Sequence, residues 1–273
     1  MACLGSEVDF VLRACHPVDM EKCAMRSPPK IFVLAAALSA ALTAPAAAVV
    51  GPSSEPGALA AHVVMILKRS PGAAGFCSGV VVAPDAVLTA AHCVAGITDT
   101  RVHYKDASGR PVLIEVAEII RHPGYRADGQ KTRRRTIDLA LVRTRAALSG
   151  FSPARLDAGS AVNIGDRFRL AGFGIAREGD AASSGTLRLA EIEARAPLSS
   201  ILLWAKDAAD KGAGACTGDS GAPIFSPTDA TVVAITAWAN GERGAQCGAL
   251  TQGVLVGPQR EWIGAVLAKW AGK

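Results

Sequence analysis

The 273-residue sequence lacks the patterns of several common classes of protein. It contains no Cys-x-x-Cys or His-x-x-x-His spacing, so we expect no zinc site, no other metal and no cofactor. Because Ala222 follows Gly221, the Gly-x-Ser-x-Gly pattern of α/β-hydrolases is missing around Ser220. There are no internal repeats, and no nucleic-acid-binding motif accompanies the formal charge of +5. These absences argue against zinc-dependent, α/β-hydrolase and nucleic-acid-binding functions.

The first 48 residues have the pattern of an export leader. A basic stretch, Met25–Lys30, precedes the apolar run Ile31–Ala44, and Ala46–Ala48 supplies a small-x-small cleavage site. The apolar run is short for a membrane span and ends at Pro45, although an uncleaved anchor is the alternative. We predict a secreted or periplasmic protein that leaves the membrane after cleavage, with Met25 as the true initiator. The alanine-rich leader favours a bacterial origin.

Export takes a protein out of the reducing cytosol, so disulfide bonds are expected. Three of the seven cysteines, Cys3, Cys15 and Cys23, lie in the leader. The four that remain are Cys77, Cys93, Cys216 and Cys247. Four cysteines allow three pairings, and cysteine number alone does not select among them.

Short β-rich runs separated by turn residues dominate the chain after the leader. Examples are His62–Leu67, Gly79–Val82, Val112–Val116, Leu139–Val142 and Val232–Thr236. Their spacing favours an all-β barrel or sandwich over alternating strands and helices. A stretch rich in Gly, Ser, Pro and Ala near residues 149–160 predicts a boundary between two halves, 49–153 and 154–273.

The last predicted element is a helix over residues 259–270. Five apolar side chains recur there at helical spacing: Trp262, Ile263, Val266, Leu267 and Trp270. We interpret this stripe as core packing against the second half of the chain, and not as a cofactor site.

Three motifs supply the residue types that nucleophilic catalysis requires. His92 stands in Thr-Ala-Ala-His-Cys, Asp138 in Ile-Asp-Leu-Ala-Leu-Val, and Ser220 in Cys-Thr-Gly-Asp-Ser-Gly-Ala-Pro. A serine hydroxyl needs a base to take its proton, and a histidine can take that proton and later return it. A carboxylate behind the ring orients the imidazole and stabilises its cation. We predict Ser220 as nucleophile, His92 as base and then acid, and Asp138 as the orienting group.

Each motif also has a non-catalytic interpretation. Gly-Asp-Ser-Gly alone is compatible with a simple surface turn, since all of its residues favour turns. An unpaired carboxylate is costly to bury, so Asp138 in its apolar run needs a partner, and His92 is the natural one. The other histidines lack the sequence context of His92. Lys131 and Arg133–Arg135 are interpreted as a loop of solvated cations, with acidic partners as the alternative.

At these motifs the sequence resembles the trypsin/chymotrypsin family of serine endopeptidases, over Val49 to Trp270. The order His…Asp…Ser is that of chymotrypsin-type triads. The resemblance implies one peptidase domain, 49–273, made of two six-stranded antiparallel β-barrels with a C-terminal helix. It places His92 and Asp138 in the first barrel, Ser220 in the second, and the site in the cleft between them. It also implies the disulfides Cys77–Cys93 and Cys216–Cys247.

The resemblance assigns further roles around Ser220. The amides of Gly218 and Ser220 would form the oxyanion hole. Pocket and substrate-strand positions are carried over as well: Gly214 at the base, Ala215, Ala239 and Gly253 at the walls, and Ala237, Trp238 and Ala239 as the pairing strand. Because Gly214 stands where trypsin-like enzymes carry an aspartate, we expect small to medium apolar side chains in the pocket. The chain departs from the family at Ala237, usually a serine that holds the aspartate, and at Ala222, usually glycine.

The segment Val49-Val-Gly51 directly follows the predicted cleavage site. In this family a new N-terminal ammonium pairs with the aspartate before the nucleophile, so we predict a Val49–Asp219 activation pair; a plain spacer is the alternative. The predicted function is a monomeric secreted serine endopeptidase acting on peptide or protein substrates. The alternatives are a catalytically weak or silent homologue that binds partners, and an esterase of small acyl substrates.

Overall fold

In the computed structural model, which describes residues 49–132, 134–242 and 244–272, the chain first forms a closed antiparallel barrel. Its strands are β1 (Val63–Ser70), β2 (Ala73–Ala83), β3 (Ala86–Thr89), β4 (Thr100–Lys105), β5 (Pro111–Arg121) and β6 (Ala140–Thr144). The strand order is β1-β2-β3-β6-β5-β4, and β4 pairs with β1 to close the barrel. This closure leaves no free sheet edge.

The second half forms another barrel. Its strands are β7 (Arg155–Leu156), β8 (Arg167–Gly172), β9 (Arg188–Ala194), β10 (Leu202–Asp207), β11 (Pro223–Phe225), β12 (Thr231–Asn240) and β13 (Leu250–Leu255). Six strands run in the order β11-β8-β9-β10-β13-β12, and β12 pairs with β11 to close the ring. The short strand β7 adds a parallel pairing to β12. Two six-stranded antiparallel barrels were predicted, and the structure confirms them.

Buried apolar side chains explain why these segments are strands. Leu88 of β3, Leu141 of β6, and Ile235 of β12 are all fully buried, as is Phe225 of β11. They belong to one cluster that contains residues of both barrels. Burying a side chain of this kind contributes roughly 1.5–3 kcal/mol, so the barrels are held together by a shared apolar core.

Helix α2 (Arg260–Ala271) lies at the end of the described chain, where a helix was predicted. A second α-helical segment of the described residues is the short α1 (Gly129–Thr132). Ile263, Val266 and Trp270 are buried, which agrees with the predicted apolar stripe. The helix also contacts the first half, because the Trp262 ring meets His122 edge-on with 4.8 Å between ring centroids. It therefore packs on both halves and not only on the second.

Both implied disulfides are present. Cys77 and Cys93 have their Cα atoms 5.9 Å apart, and Cys216 and Cys247 have theirs 5.0 Å apart. The predicted leader, with Cys3, Cys15 and Cys23, lies outside the described residues. The predicted boundary at 153/154 falls between β6 and β7 and stays a prediction. None of the helices in the described ranges is both long and apolar enough to cross a membrane.

Candidate active site

His92 and Asp138 are brought together at the open end of the first barrel. His92 lies on the helical turn Ala91–Cys93 that follows β3, and the adjacent Cys93 ties this turn to β2. Asp138 immediately precedes Leu139 and β6 and is 6% exposed. The His92 Nδ1 lies 2.6 Å from Asp138 Oδ2, and the His92 backbone amide donates to Oδ1 at 3.0 Å. A carboxylate partner requires the proton on Nδ1, which leaves Nε2 free to accept one.

Ser220 lies in the loop between β10 and β11, on the second barrel. It lines the same open cavity, of about 270 Å³, as His92 and Asp138. The Ser220 carbonyl accepts a hydrogen bond from the Ser78 amide at 2.8 Å, which anchors the loop to the first barrel. Among the described residues, no hydrogen bond joins the Ser220 hydroxyl to the His92 ring. Such contacts are often long without substrate and tighten when substrate binds.

The loop before Ser220 holds Gly218 in a conformation that favours glycine. Its φ is +96°, and a Cβ there would overlap the Phe76 ring. Neither the Gly218 amide nor the Ser220 amide donates a hydrogen bond to any other described residue. Neither amide is thus engaged by a described residue, and the predicted oxyanion hole, which needs both donors unpaired, stays a prediction.

Ser78 is a residue of this site that the sequence analysis missed. Its hydroxyl donates to the Gly218 carbonyl at 3.0 Å and accepts from the Phe173 amide at 3.0 Å. The side chain is fully buried, so this contact ties β2 of the first barrel to two segments of the second. The only sequence signal was its position next to Cys77.

Asp219 is a carboxylate buried completely beneath the serine loop. It accepts hydrogen bonds from the Gly174 amide at 2.8 Å and the Cys216 amide at 2.9 Å. Burial raises the pKa of Asp219 from 3.8 to about 7, with the two amides acting in the opposite direction. Side chains at Gly172 or Gly174 would overlap its carboxylate. A carboxylate so enclosed gains most from a cationic partner.

Val49 is the first described residue, and it packs against the part of the second barrel that precedes Ser220. It is fully buried, in a cluster that also contains Ala215 and Ala222. Val50 forms an antiparallel bridge with Gly214. The predicted Val49–Asp219 pair thus concerns segments that pack together, and the pair itself stays a prediction.

The predicted pocket residues fall into two groups. Gly214 and Ala215 are buried beside Thr251, whose hydroxyl accepts a hydrogen bond from the Ala215 amide at 3.0 Å. A Cβ on Gly214 would lie 3.2 Å from that hydroxyl oxygen. Ala239 lines the cavity with Ser220.

Gly253 faces a different direction. A Cβ on Gly253 would lie 2.9 Å from the Ile224 side chain and 3.1 Å from that of Ala234, both in the barrel core. Thr251 is the strand residue beside Gly214. The place of Gly253 in the pocket wall stays a prediction.

Tyr125, which lines the cavity, and the nearby His122 both have shifted pKa values. Burial raises the pKa of Tyr125 above its ordinary 10, and the nearby Asp138 charge adds to the effect. Burial also lowers the pKa of His122 from 6.5, and its Nδ1 accepts a hydrogen bond from the Gly124 amide at 3.0 Å. Both groups are therefore held in their neutral forms near neutral pH.

The departures at Ala237 and Ala222 lie close to the reacting groups. Ala237 lines the cavity together with Asp138 and Trp238 but has no hydroxyl to donate to the carboxylate. Ala222 is fully buried. Among the described residues, the one cluster with metal-ligand geometry is Cys77, His92 and Cys93, and its two sulfurs are already joined in the disulfide.

A double antiparallel β-barrel with an imidazole–carboxylate pair and a serine at one cavity is the architecture of the chymotrypsin-like serine proteases. The family model described as trypsin matches residues 48–263, and the chain belongs to this family. Mouse cathepsin G is 32% identical over 139 residues, which are 49% of this chain and 51% of the relative. The chain thus spans about half the length of this curated relative. A mouse relative gives no support to the bacterial origin predicted from the leader.

Solved structures share the fold. Neuropsin, described as a serine protease of the limbic system of mouse brain, has a TM-score of 0.64 at 22% identity; 80% of this chain and 98% of that chain are covered. An inactivated protease paralogue of the scabies mite has a TM-score of 0.64 at 20% identity, with 81% and 99% covered. At these identities the similarity establishes the fold alone.

Proposed function

We propose that the protein is a secreted serine endopeptidase that cleaves peptide bonds through an acyl-enzyme on Ser220. The observation that carries this proposal is the 2.6 Å contact between His92 and Asp138 at a cavity that Ser220 also lines. The matched region of the family model, residues 48–263, includes all three residues.

In the proposed mechanism, His92 Nε2 takes the proton of the Ser220 hydroxyl as its oxygen attacks the scissile carbonyl. Asp138 stabilises the imidazolium that results. The negative oxygen of the tetrahedral intermediate accepts hydrogen bonds from the Gly218 and Ser220 amides, and one such donor is typically worth about 3–4 kcal/mol. The imidazolium then protonates the leaving amine, and water repeats the sequence to release the acid.

The pocket supports a preference for small to medium apolar side chains before the scissile bond. Gly214 offers no carboxylate to pair with a basic substrate residue, and the Thr251 side chain stands beside it. Ala239 adds a methyl group to the cavity lining. The strand segment Ala237–Ala239 would pair with the substrate backbone N-terminal to the cleaved bond.

We further propose that removal of residues 1–48 activates the enzyme. Cleavage after Ala48 would leave the Val49 ammonium in the cluster that contains Ala215 and Ala222, and the buried Asp219 carboxylate would favour a cation as its partner. The pair would hold the serine loop in the arrangement described above. The mature protein, residues 49–273, would act as a secreted or periplasmic monomer, and its disulfides are typical of exported proteins.

The competing function is that of a silent homologue that only binds partners. Ala237 favours this alternative, because it has no hydroxyl to donate to the Asp138 carboxylate. The family also contains inactive members, as the scabies mite paralogue shows.

Labelling by a serine-directed phosphonate separates the two functions. We expect covalent labelling of the mature protein at Ser220 and hydrolysis of a mixed protein substrate. Ser220→Ala should abolish labelling and lower kcat by about 10⁶-fold, because the three residues act as a unit. Ser108→Ala, on an exposed turn, is the matched control and should label normally. A folded mature protein that fails to label would establish the silent homologue; labelling with hydrolysis of esters alone would establish the esterase.

A further inference from the structure

A basic loop borders the candidate active site. Between Tyr125 and Ile137 the sequence contains five cations, Arg126, Lys131, Arg133, Arg134 and Arg135, and one acid, Asp128. Arg126 lines the cavity that contains Ser220. Arg134 and Arg135 line the neighbouring groove that begins at Asp138 and Ala237. Three of the loop's cations, Arg126, Arg134 and Arg135, therefore line the cavity or the groove beside it.

The arginines have no acidic partner in the described part of the chain. Arg126, Arg134 and Arg135 are exposed, and none takes part in an ion pair with a described residue. These arginines line three hollows: the cavity with Ser220, the neighbouring groove, and a third hollow beside His122 and Gln259. Among the described residues that line them there is one carboxylate, Asp138, which His92 already engages. Asp128 lines none of these hollows. The cleft thus has an excess of positive charge that its own side chains do not neutralise.

Backbone contacts fix the loop beside the cleft. The Arg126 amide donates to the Thr136 hydroxyl at 2.9 Å, which closes the base of the loop. The Arg134 amide donates to the Gly129 carbonyl at 2.9 Å. A Cβ on Gly129 would lie 2.7 Å from Thr136, so the turn is tightly packed. The backbone at Arg126 and Arg134 is therefore held by contacts within the described part of the loop.

The neighbouring groove combines this charge with an apolar floor. Its volume is about 690 Å³, and its lining includes Ile201, Leu202, Trp204, Trp238 and Val254. Trp238 is 38% exposed, which is unusual for so large an apolar side chain. A peptide segment with both apolar and acidic residues matches this surface, because an arginine can bind a carboxylate through two parallel hydrogen bonds.

We propose that the cleft selects acidic peptides: Arg134 and Arg135 bind a glutamate or aspartate within the substrate segment that precedes the cleaved bond. This inference rests on the proposed function, in which the substrate segment before the cleaved bond pairs with Ala237–Ala239. The inference adds the class of substrate that this site prefers. Arg126, in the cavity with Ser220, strengthens the field that attracts the acidic segment.

Matched peptides test the proposal. The substrates are fluorogenic peptides with one apolar residue before the cleaved bond, and with Glu, Gln or Lys at each of the three preceding positions. At low salt we expect kcat/KM for the best Glu peptide to exceed its Gln counterpart by about tenfold. The ratio should fall as salt screens the charges. In the double variant Arg134→Gln/Arg135→Gln, the Glu-to-Gln ratio of kcat/KM should approach one. The double variant Arg134→Glu/Arg135→Glu should cleave the Lys peptide fastest.

The control variant is Lys105→Gln/Arg167→Gln, which removes two exposed cations that line none of the three hollows. It should keep the Glu preference. Binding of the same peptides to Ser220→Ala, followed by fluorescence anisotropy, measures charge selection without catalysis. A Glu preference in binding with no hydrolysis by the wild type would refute the proposed function and keep this inference. Hydrolysis of Glu and Gln peptides at equal rates would overturn the acidic preference and leave the proposed peptidase function intact. Arginine-dependent binding of a sulfated polysaccharide, without any preference for Glu peptides, would have the same consequence.

Discussion

At the residue scale, the least expected group of the site is the Ser78 hydroxyl. It joins the Gly218 carbonyl to the Phe173 amide across the contact between the two halves of the molecule. The Gly218 carbonyl belongs to the peptide bond between Gly218 and Asp219. This peptide bond lies, in the chain, between the two proposed oxyanion donors, the amides of Gly218 and Ser220. The role of Ser78 in our interpretation is to position Gly218, and it does not touch the reacting atoms.

Ser78→Ala should therefore impair turnover more than substrate binding. The substitution leaves the buried Gly218 carbonyl and Phe173 amide without their partner, at a cost of roughly 1–3 kcal/mol in unfolding free energy. We expect kcat to fall about tenfold with KM nearly unchanged, because the oxyanion donors act in the transition state. Steady-state kinetics and urea unfolding measure the two effects. A loss of stability with unchanged kcat would show that Ser78 is only structural.

At the scale of elements, helix α2 connects the two halves of the chain. Ile263 is fully buried in the cluster that contains residues of both barrels, whereas Ile164, in the loop before β8, is 57% exposed. The two isoleucines therefore allow the same substitution to be compared inside and outside the core.

Ile263→Ala should lower the unfolding free energy by about 2–5 kcal/mol, through lost apolar transfer and the cavity left behind. Ile164→Ala should change it by less than about 1 kcal/mol. Urea unfolding followed by tryptophan fluorescence measures both. Equal effects of the two substitutions would contradict the proposed contribution of the helix to the shared core.

At the scale of the whole molecule, the proposed activation would couple the start of the mature chain to the serine loop through Asp219. A protein that keeps Ala48 has no free ammonium at Val49, so its Asp219 carboxyl has the raised pKa of about 7. The unfolded chain releases this proton near pH 3.8, and the folded chain keeps it until about pH 7. The folded state binds more protons between these values, so its stability decreases as pH rises through that range.

We expect the Ala48-extended protein to lose at most roughly 4 kcal/mol of stability between pH 4 and pH 8 from this group. Asp219→Asn in the extended protein should remove this component, and the mature protein should show little of it, because the ammonium keeps the carboxylate ionised. Urea unfolding at several pH values measures the dependence. Both the extended protein and mature Asp219→Asn should be nearly inactive. Full activity of the extended protein, with its mass confirmed, would refute the activation proposal.

Much of the molecule was determined by the sequence itself. Short β-rich runs separated by turn residues predicted an all-β barrel or sandwich, and the family resemblance implied two barrels. The periodicity after residue 259 predicted the final helix. Motif context singled out His92 from the other histidines, and Asp138 and Ser220 with it. These properties are local, because they depend on residue types within a few positions of each other.

The tertiary structure alone decided which distant groups meet. It supplied the Ser78 bridge, placed Thr251 beside Gly214, and brought Arg134 and Arg135 to the groove next to Trp238. His92 and Asp138 are 46 residues apart and Ser220 lies 82 residues further on, so closure of each barrel and docking of the two set their distances. Side chains alternate along a strand, so a shift of two residues leaves the same residues facing the core. The conformation of a surface loop depends on hydrogen bonds that its residue types do not specify. Residue pattern therefore does not determine register or loop orientation, which depend on pairing between segments far apart in the chain.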